Sequence, residues 1–292
     1  NKGQSVEEYN NYLDSYANPL LEKWINIILD KNLISPKAVY GYFRCGRDDN
    51  SIYLFDNVSN KRIYEFNFPR QKSGNNLCIA DFYCDLKNNH PVDIFPMQAV
   101  TMGEIASEYS QELFKADKYS DYLIFHGLTV QLAKAFGEYV HSIVRIECGF
   151  KSYEPNNNRE ILAQKYRGAR YSFGYPACPK VSDSNIQLSL LDTKRINLTM
   201  DESEQLHPEQ STTAIISLHS KAKYSSNNIV NRNKYKFGEK EIINRYIFIK
   251  KFKLNIIKFG IGTILIIFKN FFGIIFKIDN FLRVLGNIKG IL

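Results

Sequence analysis

The stretch AVYGYFRCGRDDNSIYLFDNVSNKRIYEFNF, Ala38 to Phe68, decides the fold class. Its apolar and aromatic runs, AVYGYF (38–43), SIYLFD (51–56) and RIYEFNF (62–68), are separated by RDDN and NVSN. Asp, Asn and Ser at such breaks hydrogen-bond their own backbone and favour tight reversals, so the pattern predicts strands that run back and forth. After KSGNN, LCIADFY (77–83) extends the same pattern as a further expected strand of an antiparallel meander.

Helical periodicity brackets this region. Upstream, SVEE sets Ser5 as an N-cap with Glu8 three residues on. Val6, Tyr9, Leu13, Tyr16, Leu20, Trp24 and Ile28 then recur at helical spacing, with a kink or interruption expected at Pro19. Downstream, two longer stretches, 103–116 and 119–147, read as helices, the second with Leu128, Leu132, Phe136, Tyr139 and Ile143 in register for one buried stripe. YEPNNNRE is a loop, 160–166 reads as a short helix and TAIISLHS (213–220) as a late strand. Strand runs and helix runs are segregated rather than alternating, which predicts an α+β fold: a twisted antiparallel sheet flanked by helices in a single main domain.

A net charge of +8 over 292 residues suggests a polyanion partner until its distribution is read. Residues 227–292 hold ten Lys and three Arg against three acidic residues, or +10, so residues 1–226 carry −2 and show no footprint for nucleic acid. Composition breaks at the same point. Ile, Lys, Asn and Phe supply 44 of the last 66 residues, and Ala and Pro are absent. The main domain is therefore expected over 1–226. The basic tail over 227–292 is expected to stand apart from it, as frame-shifted or read-through sequence of the kind AT-rich codons encode. Within the tail, Phe259–Phe268 is a ten-residue apolar run bounded by lysines, short of the roughly 20 residues that a spanning helix needs. A basic interfacial helix is the alternative for this tail, with membrane contact the minor expectation.

Five cysteines without a C-x-x-C pair argue against a zinc site or a disulfide framework and fit a reducing cytoplasm. The opening NKGQSVEEYN has neither basic nor apolar leader character and reads as cut from a longer chain. H-E-x-x-H, G-x-S-x-G and G-x-x-x-x-G-K-[ST] are all missing. Gly260 and Gly262 lack the third glycine and the acidic residue of a dinucleotide loop. No metal ligand set is expected.

RYSFGYPACP, Arg170 to Pro179, sets an arginine four residues before Gly174-Tyr175 and closes with Pro176 and Pro179 around Ala-Cys. Two prolines so close exclude regular helix or central strand and stiffen the segment, so that less conformational entropy is lost when it binds something. Together with AVYGYF, FPRQKSGNNLCIADFY and INLTMDESEQLHPEQSTTAIISLHSKAKY, in that order, it gives the chain a resemblance over about residues 2–224. The chain resembles the C-terminal activation domain of cobalamin-dependent methionine synthase, in a version like that of cyanobacteria.

That resemblance implies a domain that binds S-adenosylmethionine and presents its methyl group to cobalamin carried by a neighbouring domain. It implies ligand contacts at Asp81, Arg170, Tyr171, Gly174, Tyr175, Tyr224 and Ser225. Two positions depart from the family: among the contacts, Ser225 stands where an aromatic residue is common, and in the helix segment LAKAFGEY, Lys134 stands where some relatives are acidic. No catalytic residue of the chain's own is implied, since reduced cobalamin is the nucleophile and a flavodoxin-like or ferredoxin-type donor reduces it. Zinc, homocysteine and folate belong to modules that are not in this sequence, nor is the D-x-H-x-x-G pattern of the cobalamin module.

The residue chemistry agrees with such a ligand. A carboxylate suits the planar fork of an arginine, and ammonium and sulfonium cations suit a carboxylate or an aromatic face. Arg170 and Asp81 are accordingly expected to face one groove and grip opposite ends of the zwitterion, with Tyr175 on the corrin side. Cys178, between prolines, is expected to be a small buried thiol. A non-catalytic module that senses S-adenosylmethionine or docks a reductase is the competing reading.

Overall fold

The computed structural model describes residues 5–56, 58–72, 76–157, 160–161, 163–222 and 255–258. The capping box forms as the sequence predicts: Glu8 N–H donates to Ser5 Oγ at 3.1 Å and Ser5 N–H to Glu8 Oε2 at 2.8 Å, opening α1 (Val6–Tyr12). The expected interruption is a wide π-helical turn over Leu13–Ala17, after which α2 (Asn18–Asp30) starts afresh. Pro19 lies in the first turn of α2, where a missing N–H costs nothing.

The meander follows as β1 (Lys37–Asp48), β2 (Ser51–Phe55) and β3 (Arg62–Asn67), each antiparallel to the next. The fourth expected strand does not form. Ile79–Phe82 is a 3-10 turn instead, because the Asp81 carboxylate accepts the Cys78 N–H at 3.0 Å and closes the chain locally. The central strand is β4 (Asp93–Thr101), paired to β1 along nine residues. Its sequence, DIFPMQAVT, hides it in two ways. All nine residues are buried, so no polar alternation marks it, and Pro96 argues against a central strand. The structure accommodates Pro96 because the ladder to β8 begins only at Met97.

Helices α3 (Glu104–Lys115) and α4 (Tyr119–Glu147) come next, within a residue of their sequence-based limits. Then follow β5 (Ala169–Tyr171), α5 (Asp183–Leu191), a small hairpin of β6 (Thr199–Met200) and β7 (Leu206–His207), and β8 (Ser211–Ser217). Between α4 and β5 the short helix expected over 160–166 is limited, among the described residues, to Glu160 and Ile161, after which the chain turns. The sheet order is β3-β2-β1-β4-β8-β5, and every pairing in it is antiparallel. A last strand, β9 (Asn255–Lys258), pairs with β1 at Lys37–Tyr40, so four residues of the basic tail lie on the sheet. Phe259–Phe268, the apolar run of the tail, lies outside the described residues. The architecture is α+β, with helices packed on an antiparallel sheet.

Strand periodicity divides the interior in two. Ala38, Tyr40, Tyr42, Ile94, Val100 and Ile216 face one side, where α2, α3 and α4 cover them; the predicted stripe of Leu128, Leu132 and Phe136 is fully buried there, with Tyr139 and Ile143 at its margin. Val39, Phe95, Met97, Ala99 and Ile215 face the other, against α5 and the 3-10 turn. A side chain's place in the strand alternation therefore fixes which half of the molecule it can serve.

Candidate functional site

β5 is three residues long, and its alternation sorts three neighbouring side chains. Ala169 and Tyr171 belong to the core beneath α5, where Tyr171 stacks on Phe82 at 6.5 Å. Arg170 points the other way, under α4. Its Nε donates to Glu138 Oε2 at 3.1 Å and its Nη2 lies 3.5 Å from the carbonyl oxygen of Lys134. A Cβ added to Gly137 would stand 3.1 Å from Arg170 Nη1 and 3.3 Å from Gln98 Nε2, so the bare helix backbone at that position is what admits the guanidinium. Arg170 keeps 23% of its side chain exposed, and Glu138 keeps 13%.

Behind this pair lies a buried set of charges. Glu138 Oε1 is 3.5 Å from Arg145 Nη1 and 3.6 Å from His141 Nδ1. Arg145, almost wholly buried, donates to both oxygens of Glu154, Nε to Oε1 at 2.5 Å and Nη2 to Oε2 at 2.8 Å, with its guanidinium 3.9 Å from the centre of the Tyr166 ring. Burial alone would raise the Glu138 pKa, but the positive charges of Arg170 and Arg145 beside it outweigh burial and hold the carboxyl well below the usual range. Burial, with the positive charge of Arg145, lowers His141 to about 4 against the upward pull of Glu138, so its imidazole is neutral at neutral pH.

The segment after β5 is a closed turn rather than an open loop. The Ser172 hydroxyl donates to the Thr213 carbonyl at 2.7 Å, Gly174 N–H to the Cys178 carbonyl at 2.9 Å and Cys178 N–H to the Tyr175 carbonyl at 2.9 Å, with Pro176 at the second position of that turn. Gly174 has φ +92°, a conformation that side chains resist. Phe173 anchors the turn in the core against Phe66, ring centres 5.5 Å apart, and Tyr175 stands at its tip, 51% exposed. The Cys178 thiol is buried and its pKa pushed up to about 12, which leaves it a packing group, as the sequence suggests.

The structure does not bring the expected residues into one groove. Asp81 sits on the 3-10 turn whose Ile79, Ala80 and Phe82 pack into the core beneath α5, whereas Arg170 lies under α4 on the opposite side of the sheet. The Asp81 carboxylate is clamped by Arg70, Nη1 to Oδ2 at 2.8 Å and Nη2 to Oδ1 at 2.9 Å, and by Arg47 Nη1 at 3.1 Å, with only 6% exposed. It ties the 70–81 segment to β1. Tyr171 is core, for the reason of alternation given above. Arg170 and the turn carrying Gly174 and Tyr175 follow one another along the chain at the sheet edge, but Phe173 and Cys178 seat that turn in the core beneath α5, so of the three only Arg170 faces α4. Tyr224 and Ser225 lie outside the described residues. Sequence reasoning missed Glu138, His141 and Arg145, although the signal was present: in EYVHSIVR they fall at i, i+3 and i+7, polar groups on a stripe that otherwise reads apolar.

The family model described as "Vitamin B12 dependent methionine synthase, activation domain" matches residues 3–238. Methionine synthase of Mycobacterium tuberculosis (strain ATCC 25618 / H37Rv) is 36% identical over 235 residues, and that of Mycobacterium leprae (strain TN) 37% identical over 235, in each case covering 76% of this chain and 20% of the relative. The chain thus spans about a fifth of the length of these relatives. A solved structure described as the MetH reactivation domain bound to AdoHcy superposes with a TM-score of 0.65 at 23% identity, over 91% of this chain and 78% of that one, and so shares the fold.

Proposed function

The chain belongs to the activation-domain family of vitamin B12 dependent methionine synthases, and from that premise we propose that it binds S-adenosylmethionine on the α4 side of the sheet. Arg170 anchors the carboxylate of the donor, and the turn over 172–178 holds the methyl-bearing end. The observation that carries the reading is the placement of Arg170: a partly exposed guanidinium whose Nε is taken by Glu138 and whose Nη2 meets the Lys134 carbonyl at 3.5 Å, so that further Nη hydrogens can meet a ligand carboxylate from a fixed direction.

Binding and orientation are this chain's contribution. Cobalamin, carried by another domain of the same enzyme, would supply the nucleophile to which the methyl group passes, with the sulfonium leaving as the thioether of S-adenosylhomocysteine. Tyr175 suits the docking of such a macrocycle, because a half-exposed ring on a hydrogen-bonded, proline-stiffened turn offers a flat apolar face without having to be ordered first. Rate acceleration from this chain is then proximity and alignment, with no acid, base or nucleophile of its own. A flavodoxin-like or ferredoxin-type reductant is the expected electron source. Five free cysteines fit a reducing cytoplasm. A domain boundary near residue 226 belongs to the same proposal. Composition changes there, while the family match runs on to Gly238 and Asn255–Lys258 pairs with β1.

Calorimetric titration of the 292-residue chain with S-adenosylmethionine tests the reading. Measurable binding that Arg170→Ala removes supports it; no binding, or binding untouched by Arg170→Ala, contradicts it.

A further inference from the structure

Arg170 is the exposed end of a chain of charged groups that runs inward through Glu138 and Arg145 to Glu154. Each link is a side-chain contact: Arg170 Nε to Glu138 at 3.1 Å, Glu138 to Arg145 Nη1 at 3.5 Å, and Arg145 to Glu154 through two bonds at 2.5 and 2.8 Å. The Tyr166 ring lies on the Arg145 guanidinium at 3.9 Å and meets His141 edge-on at 5.4 Å. Two arginines balance two carboxylates, and His141 is neutral, so the set carries no net charge into the interior. Stability alone does not account for it, because a buried ion network is often no better than apolar residues of the same volume. What such a network does supply is direction.

We propose that Glu138, held in turn by Arg145 and Glu154, is a positioning residue that fixes the plane of the Arg170 guanidinium for the methyl donor. A free arginine side chain sweeps many rotamers and must be ordered when it grips a carboxylate. Here Glu138 takes the Nε hydrogen, and the backbone at Lys134 and Gly137 confines the two Nη groups from behind. The end-on fork is thereby pre-set, and a carboxylate that arrives meets donors already in place. Glu138 touches the reaction only through Arg170. The inference rests on the reading of Arg170 as the carboxylate anchor, and its test separates the two.

The test compares two ligands on the full chain by calorimetry: S-adenosylhomocysteine, which carries the carboxylate, and 5′-methylthioadenosine, which lacks the whole amino-acid end. Glu138→Gln, which keeps the shape and removes the charge, is expected to weaken S-adenosylhomocysteine about tenfold and to leave 5′-methylthioadenosine within about twofold. In an Arg170→Ala background the same substitution is expected to add nothing further. Glu154→Gln, one link deeper, is expected to give the same pattern at about threefold, and it serves if Glu138→Gln does not fold. Equal loss of both ligands would overturn the proposal in favour of general structural support. Unchanged S-adenosylhomocysteine binding in Glu138→Gln, where Arg170→Ala abolishes it, would also overturn it and leave the functional reading standing. If Arg170→Ala itself binds S-adenosylhomocysteine normally, the functional reading fails first.

Discussion

Each side of the sheet carries a carboxylate held by two arginines, and the two clusters do opposite things. Beneath α5, Asp81 gives both of its oxygens to Arg70 and Arg47, and the fork of Arg70 meets the carboxylate face to face. Nothing is left over, and the result is a clamp between a loop and a strand. Beneath α4, Glu138 spends one oxygen on Arg170 and faces Arg145 and His141 with the other, while the outer guanidinium keeps part of its surface in solvent. The same ions in a closed arrangement make structure, and in an open one they make a site. Residue type does not distinguish these two outcomes; the number of hydrogen-bond positions left unspent does.

The sharpest way to break this contrast is to remove each acid or base and read stability and ligand binding together. Arg170→Ala is expected to lower affinity for S-adenosylhomocysteine about a hundredfold or more, since a charged anchor is lost, while stability falls less than in Asp81→Ala because Glu138 keeps Arg145 as a partner. Asp81→Ala is expected to do the reverse. It removes the partner that Arg70 and Arg47 share, although Arg47 keeps Asp85 at 2.6 Å and Arg70 the Asn76 carbonyl, and costs about 2 kcal/mol in denaturant unfolding, with ligand affinity unchanged in the folded protein. Should Asp81→Ala abolish binding without loss of stability, the assignment of the two clusters is inverted.

A pH titration of stability sharpens the comparison, because on the α4 side a buried histidine, His141, sits among these charges. His141 has its folded value lowered to about 4, below its ordinary one. Between those values the unfolded chain takes up a proton that the folded chain refuses, so stability falls as the pH drops from about 6.5 to about 4, by about 3 kcal/mol in all. Glu138, also depressed in the folded state, acts in the same sense at lower pH: its contribution is present above the ordinary carboxylate value and is lost as the pH falls through the folded one. His141→Phe is expected to flatten the upper part of the curve, measured by chemical unfolding across that range. An unchanged slope in His141→Phe would assign the titration elsewhere.

The smallest expected effect is the most local. Gly137→Ala adds one methyl group in mid-helix, where alanine is favoured by up to about 1 kcal/mol, but the methyl also crowds the buried Gln98 Nε2 at 3.3 Å, so the two effects offset and the melting temperature is expected to change little. The same methyl group would stand 3.1 Å from Arg170 Nη1 and push the guanidinium aside by a few tenths of an ångström. Affinity for S-adenosylhomocysteine is expected to fall about three- to fivefold. A folded protein with undiminished affinity would show that the exact seat of the guanidinium does not matter.

Much of this fold was legible from local pattern. The capping box, the segregation of strands from helices and the stripe on α4 all reflect periodicities that a few residues can express. β4 escaped because complete burial erases alternation and Pro96 masks the strand. LCIADFY misled because one side-chain carboxylate, by accepting its own backbone N–H, turned a strand-like run into a 3-10 turn. The site was legible only in part, for a related reason. Residue types identify which groups can bind a zwitterion, but the side of the sheet on which each stands depends on register, and Asp81 and Arg170 fall on opposite sides. Glu138 and Arg145 were visible as polar interruptions of a buried stripe, yet their partner Glu154 comes from a loop that no periodicity announces.

The central claim is that the methyl donor binds under α4 with its carboxylate on Arg170, and a crystal structure of this chain with S-adenosylhomocysteine tests it most directly. The account expects the carboxylate within hydrogen-bond distance of the Arg170 Nη groups, Glu138 still on Nε, and Asp81 still closed upon Arg47 and Arg70. A ligand seated instead at Asp81, or one that leaves the Arg170 guanidinium untouched, would contradict it.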